Sequence, residues 1–226
     1  ISMIKQKNNL SEFSTSYYEN SNIYKIFSEA EDKENFIFQF LTPYLKNKIV
    51  LDLGCGNGRH LQLINSISKF SIGLDQSLEQ LKQSNIKTNM IVGNGVQLPF
   101  KNESFDCITS FWVWGTILDE NKRLQVLNES KRVLKRNGSI FLIENDISSE
   151  FEYLRGRHLN NKTQEYNHWL IQHGFSILNK METLITFDNL LIAQDVFQKI
   201  WQDRLFQLPQ SQIVQHKVII FELKVN

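Results

Sequence analysis

The chain has 226 residues, 25 Lys and Arg against 24 Asp and Glu, and a formal net charge of +1. So balanced a charge offers no electrostatic footprint for a polyanion, which argues against nucleic acid and a membrane surface as partners. Two cysteines, Cys55 and Cys107, are too few for a disulfide framework or a metal site, so no metal is expected and a reducing, cytoplasmic setting is.

In chain order, the first part is rich in aromatics, among them Tyr17, Tyr18, Tyr24 and Phe27. From about Lys33 to Leu45 the apolar residues Phe36, Ile37, Phe40 and Leu41 have helical spacing, and Pro43 warns that the helix is ending. Strands and helices then alternate with short connections, the pattern of a parallel sheet covered on both faces. The strands are expected at Ile49 to Leu53, Phe70 to Leu74, Asn89 to Val92, Phe105 to Ser110 and Ser139 to Glu144. Intervening helices are expected at Asn57 to Ile67, Ser77 to Ser84 and Glu120 to Arg136, with Lys131, Arg132, Lys135 and Arg136 read as a solvated helix end. Further on come a helix from Lys162 to His173, a strand from Phe175 to Thr186, a helix capped by Asp188 and a last strand from His216 to Val225. Residues 1–46 read as a helical N-terminal cap and 47–226 as the main unit.

The most informative stretch is Ile49 to Arg59, IVLDLGCGNGR. An apolar run carries Asp52 and then breaks into Gly54, Gly56 and Gly58. Glycine permits positive φ and lets a ligand lie against the backbone, and amides at the start of a following helix offer donors. A dinucleotide fingerprint places its third glycine one residue later, as G-x-G-x-x-G, so a pyrophosphate is not the natural occupant.

This stretch resembles motif I of the class I S-adenosylmethionine-dependent methyltransferases. The resemblance continues through Asp75-Gln76-Ser77 at the end of the second strand, through Gly93-Asn94-Gly95-Val96-Gln97-Leu98-Pro99-Phe100, and through a fourth strand ending at Ser110. It implies a Rossmann-like α/β fold with a seven-stranded, mostly parallel sheet whose last strand is antiparallel, helices on both faces and S-adenosylmethionine as cofactor. The cofactor-binding residues it implies are Asp52, Gly54, Cys55, Gly56, Asp75, Gln76, Asn94, Gly95 and Ser110. Asp75 would take both ribose hydroxyls, although an Asp there also suits a helix N-cap. Asn94 stands where the family usually has Asp and would accept from the adenine amino group.

Trp112 and Trp114, just after the fourth strand, are candidates for flanking a substrate, with Tyr17 as part of a lid. His158 and Tyr18 are the candidate catalytic groups, with His168, Glu144 and Asp146 behind them. After Ser110 the chain lacks the acidic or Asn residue and two prolines of enzymes that methylate exocyclic amino groups of bases. The expected substrate is therefore a small molecule methylated on O, N or C. A peptide or protein acceptor is the second reading, and a non-catalytic scaffold the third.

Overall fold

The computed structural model describes residues 21–84, 89–201 and 205–225. Tyr17 and Tyr18 lie outside them.

The chain opens with α1 (Ser21–Ala30) and α2 (Phe36–Leu45). Asp32 starts α2 by accepting from the backbone amides of Phe36 and Ile37, both at 3.0 Å. Pro43 sits inside the last turn of α2, buried through Ile37, Leu41 and Leu45. The central elements are β1 (Ile49–Leu53), α3 (Arg59–Ile67), β2 (Phe70–Asp75), α4 (Leu78–Lys82), β3 (Met90–Val92), β4 (Phe105–Phe111), α5 (Glu120–Val133) and β5 (Leu134–Asn145). A short α6 (Glu150–Leu154), α7 (Lys162–Gln172), β6 (Ser176–Thr186), α8 (Leu190–Trp201) and β7 (Ile213–Lys224) complete the fold.

The seven strands form one sheet in the order β3-β2-β1-β4-β5-β7-β6. The pairs from β3 to β5 are parallel, and β7, last in sequence, lies antiparallel to both β5 and β6. The expected Rossmann-like α/β architecture with an antiparallel last strand is therefore present. Strand order reverses between β1 and β4, and in open α/β sheets ligands bind in the crevice outside the carboxyl ends at such a switch point. Asp52 pairs with Gly73 on one side and Thr109 on the other, which brings the glycine loop, Asp75 and the end of β4 to one edge. The strands that carry this edge are buried: Val50, Leu51, Ile108, Ile140, Leu142 and Ile143 are sealed from solvent, as a sheet covered on both faces requires.

Several boundaries differ from the sequence expectation. The helix expected through Arg136 ends at Val133, because Leu134 turns extended at φ −75° and ψ 142° and joins β5. Arg132 is not a solvated end group. Its guanidinium forks onto Glu129 and donates to the carbonyls of Leu98 and Phe100 and to Asn102, while Lys135 pairs with Asp106 at 2.9 Å. Near the C-terminus Asn189, not Asp188, supplies the cap of α8, its Oδ1 accepting from the Ile192 amide at 2.9 Å. Among the described residues no helix is long and apolar enough to cross a membrane.

Candidate functional site

The site begins with a chain reversal at the end of β1. The amides of Gly54 and Cys55 both donate to the Leu74 carbonyl, at 2.7 and 3.2 Å, which bends the loop over the end of β2. Gly54, Gly56 and Gly58 take φ of +80°, +54° and +81°, a region costly for residues with a Cβ. Their surroundings differ. A Cβ on Gly54 would meet Val113 Cγ2 at 2.4 Å, whereas one on Gly56 would meet nothing within 4 Å. The backbone at Gly56 therefore borders open space, the cradle a ligand needs.

Asp75 closes the other side of that space. Its Oδ2 accepts from the Gly56 amide at 2.9 Å and its Oδ1 from the Ser77 amide at 2.8 Å, with the Gln76 amide also facing it. Burial raises its pKa while these amides oppose the rise. A carboxylate has about four acceptor positions, so two hydroxyls can still be taken. The N-cap role foreseen as an alternative falls to Ser77, whose hydroxyl accepts from the Gln80 amide. Asp52 is buried, accepts from the Thr109 hydroxyl at 2.9 Å, and is pushed up to about 7 by desolvation and the nearby Asp75 charge.

Other residues singled out in the sequence fall into place differently. Cys55 turns its side chain into the core: a Cβ on Gly73 would come within 2.6 Å of its Sγ, and burial drives its thiol pKa well up. It offers the site backbone only. Ser110 is fully buried and donates to the Leu53 carbonyl at 2.7 Å, tying β4 to the end of β1. Asn94 is exposed, its Oδ1 accepting from the Val96 amide at 3.1 Å, and Gly95 packs close to Val126 of α5. The loop from Asn94 to Phe100 is held from behind by α5, since Glu129 accepts from the Leu98 amide at 2.7 Å.

Two candidates are corrected. Trp114 is fully buried, with its ring edge-on to Phe175 at 6.0 Å, so it is core and not a substrate wall. His158 is exposed and stacks on Tyr153 at 4.5 Å, with Phe206 edge-on at 4.8 Å. None of its recorded contacts joins it to the glycine loop or Asp75. Trp112 stays at the site, between His60 in the first turn of α3 at 5.8 Å and His216 of β7 at 5.5 Å. Glu144 is buried, accepts from the Tyr166 hydroxyl at 2.8 Å and is pushed up to about 8 by desolvation. Asp146 pairs with Lys180 at 3.3 Å, and His168 lies on the exposed face of α7.

The sequence reading missed how α1 is fastened to this site. Arg59 donates to the carbonyls of Ser28, Glu31 and Asp32, and Asn57 reaches Ser28 Oγ at 3.5 Å. Glu31 becomes a buried acid, pushed up to about 8 by desolvation although the Arg59 and Arg155 charges oppose the rise.

A model of the methyltransferase domain matches residues 51–142, the span from β1 into β5. Uncharacterized protein MJ1123 of Methanocaldococcus jannaschii is 30% identical over 79% of this chain and 87% of its own length. The chain belongs to the class I S-adenosylmethionine-dependent methyltransferases. Its fold is shared with an S-adenosylmethionine-dependent methyltransferase of Thermotoga maritima, at TM-score 0.59 and 16% identity over 93% of this chain and 99% of that one. S-adenosylmethionine is the cofactor of this methyltransferase domain, and the residues fit it: bare backbone at Gly56, and Asp75 with acceptor positions to spare.

A tRNA (carboxymethyluridine(34)-5-O)-methyltransferase of Arabidopsis thaliana is 34% identical over 46% of this methyltransferase chain and 25% of its own length. This likeness overturns the expectation of a small-molecule partner and no nucleic acid. The expectation failed for two physical reasons. A formal charge of +1 counts Glu31 and Glu144 as anions, yet burial keeps both protonated at neutral pH, so the effective charge is about +3. The absent proline motif serves exocyclic amino nitrogens, whereas the relative's name specifies an oxygen. The chain spans 37% and 49% of the lengths of two other Methanocaldococcus jannaschii relatives, which match at 43% and 35% identity.

Proposed function

We propose that this chain transfers a methyl group from S-adenosylmethionine to an oxygen on a modified uridine of tRNA. The observation that carries this reading is the 34% and 32% identity to tRNA (carboxymethyluridine(34)-5-O)-methyltransferases of Arabidopsis thaliana and Saccharomyces cerevisiae, over nearly half of the chain. The uninterrupted glycine loop and the placement of Asp75 support it.

When bound, S-adenosylmethionine supplies a methyl group on a sulfonium, open to in-line displacement. The protein's contribution is placement. Gly54 and Gly56 give the cofactor bare backbone, Asp75 takes ribose hydroxyls, and Asn94 stands at the adenine end. Holding nucleophile and methyl in line supplies much of the rate of such a transfer. A carboxylate oxygen as acceptor arrives without a proton, so no general base is required. That agrees with His158 standing apart on an exposed surface.

The test is incubation of the protein with methyl-labelled S-adenosylmethionine and tRNA, comparing wild type with Asp75→Ala. Label should enter acid-precipitable, ribonuclease-sensitive material with the wild type and fall at least about tenfold with the variant, the equivalent of one lost charge-assisted hydrogen bond. Absence of label from RNA while S-adenosylhomocysteine still binds would refute the tRNA reading and leave the cofactor pocket standing.

A further inference from the structure

Among the described residues, five buried side-chain atoms without a hydrogen-bond partner gather around the carboxyl end of β5: Trp112 Nε1, Arg155 Nε, Asn167 Oδ1, Trp201 Nε1 and His216 Nδ1. Buried polar atoms are nearly always paired, so such a concentration calls for a reason. Two of these atoms have a defined chemical sense. Glu152 Oε1 accepts from Asn145 Nδ2 at 3.0 Å and from Arg155 Nη1 at 2.6 Å, and its Oε2 accepts from Thr163 at 2.9 Å. A carboxylate held this way only accepts, so the amide nitrogen of Asn145 faces it and the amide oxygen faces His216 Nε2 at 2.9 Å. His216 therefore carries its proton on Nε2, and Nδ1 is a bare acceptor on a fully buried ring.

Trp112 supplies the opposite sense, since indole Nε1–H only donates. Its ring lies 5.5 Å from that of His216 at an interplanar angle of 28°, so the two rings are stacked and do not satisfy each other edge to edge. Trp112 is also held at φ +56°, a strained conformation for a bulky residue, with its amide donating to the Ile143 carbonyl at 2.9 Å. These two rings flank the exit of β5, and His60 links them to the first turn after the glycine loop.

We propose that Trp112 and His216 receive the acceptor base turned out of the RNA, Trp112 Nε1 donating to a ring carbonyl and His216 Nδ1 accepting a ring N–H. The proposal rests on the tRNA reading above and names the part of the site that reads the base. Neighbouring carbonyl and imide N–H groups of this kind are what a uridine presents, and bases on which chemistry is done are taken out of the stack. Arg155, whose guanidinium lies 4.7 Å over the Phe151 ring and whose Nε remains unpartnered, adds a donor suited to an acidic substituent on that base. Asn145 and Glu152 are positioning residues that fix the His216 tautomer.

The test uses the whole chain with S-adenosylhomocysteine and an anticodon stem-loop RNA carrying 5-carboxymethyluridine. Nitrogen NMR of the protein without RNA should show His216 protonated at Nε2 alone; protonation at Nδ1 overturns the proposal. On adding RNA, the indole N–H signal that Trp112→Phe removes should shift. Trp112→Phe and His216→Gln should keep wild-type affinity for S-adenosylhomocysteine and lower kcat/KM for the RNA by about tenfold or more, the worth of one buried hydrogen bond. Methylation of the RNA by Trp112→Phe at the wild-type rate, with no indole shift, removes the base pocket and leaves the tRNA reading intact. Failure of the wild type to methylate any RNA while it binds S-adenosylhomocysteine defeats both.

Discussion

Gly54 and Gly56 share a left-handed backbone but answer to different neighbours. Gly54 is pressed by Val113, and Gly56 by no protein atom. Gly54→Ala must displace a packed side chain and should lower stability by more than the ~1–2 kcal/mol that the φ alone costs. Gly56→Ala should lose only that backbone term in a urea melt yet bind S-adenosylhomocysteine at least about tenfold more weakly, because its methyl occupies ligand space. Wild-type affinity in Gly56→Ala would remove the cradle from the account. Glu144 gives a second residue-scale outcome. Its folded pKa stands at about 8, raised by burial, above the ~4.3 of an exposed Glu. Below the unfolded value both states hold the proton. Between about pH 4.5 and pH 8 only the unfolded state releases it, so the wild type loses stability as pH rises through that window and no more above it. Glu144→Gln should therefore gain in melting temperature relative to wild type between pH 5 and pH 8, and a difference independent of pH would contradict the buried, protonated acid.

At the scale of elements, α5 supports the cofactor loop as well as the core. Arg132, through Glu129 and the carbonyls of Leu98 and Phe100, holds the segment that carries Asn94. Arg132→Ala should cost about 1–3 kcal/mol, in line with lost charged hydrogen bonds, and weaken S-adenosylhomocysteine binding as the loop loosens; unchanged affinity would limit the clamp to stability. That role was invisible in a sequence where Lys131, Arg132, Lys135 and Arg136 form one basic run. The strands and their order of use were legible, because each is a short apolar run bounded by Gly or polar residues, and the cofactor residues sit at successive strand ends. Boundaries set by a single dihedral, as at Leu134, or by competition between neighbouring caps, as at Asp188 and Asn189, were not. Nor were the residues that meet only through tertiary packing. Arg59 reaches back to α1, and His216 meets Asn145 across 71 positions of sequence, so no local pattern announces either pair.

At the scale of the whole molecule, the sheet divides the work. Its β3-β2-β1-β4 half carries the cofactor residues, and β5 and β7 bring Trp112, Asn145 and His216 together on the other side of the switch point. Acids that lower the formal charge are partly hidden in this interior, so net charge was a poor guide to what the surface binds. The account joins one cofactor cradle to one base-reading face, and its central claim is methyl transfer to a modified uridine of tRNA. The most direct measurement is mass spectrometry of nucleosides from tRNA incubated with the protein and isotopically labelled S-adenosylmethionine. The account predicts one labelled methyl group on a uridine derivative, absent with Asp75→Ala; label on no nucleoside, or on a purine alone, would contradict it.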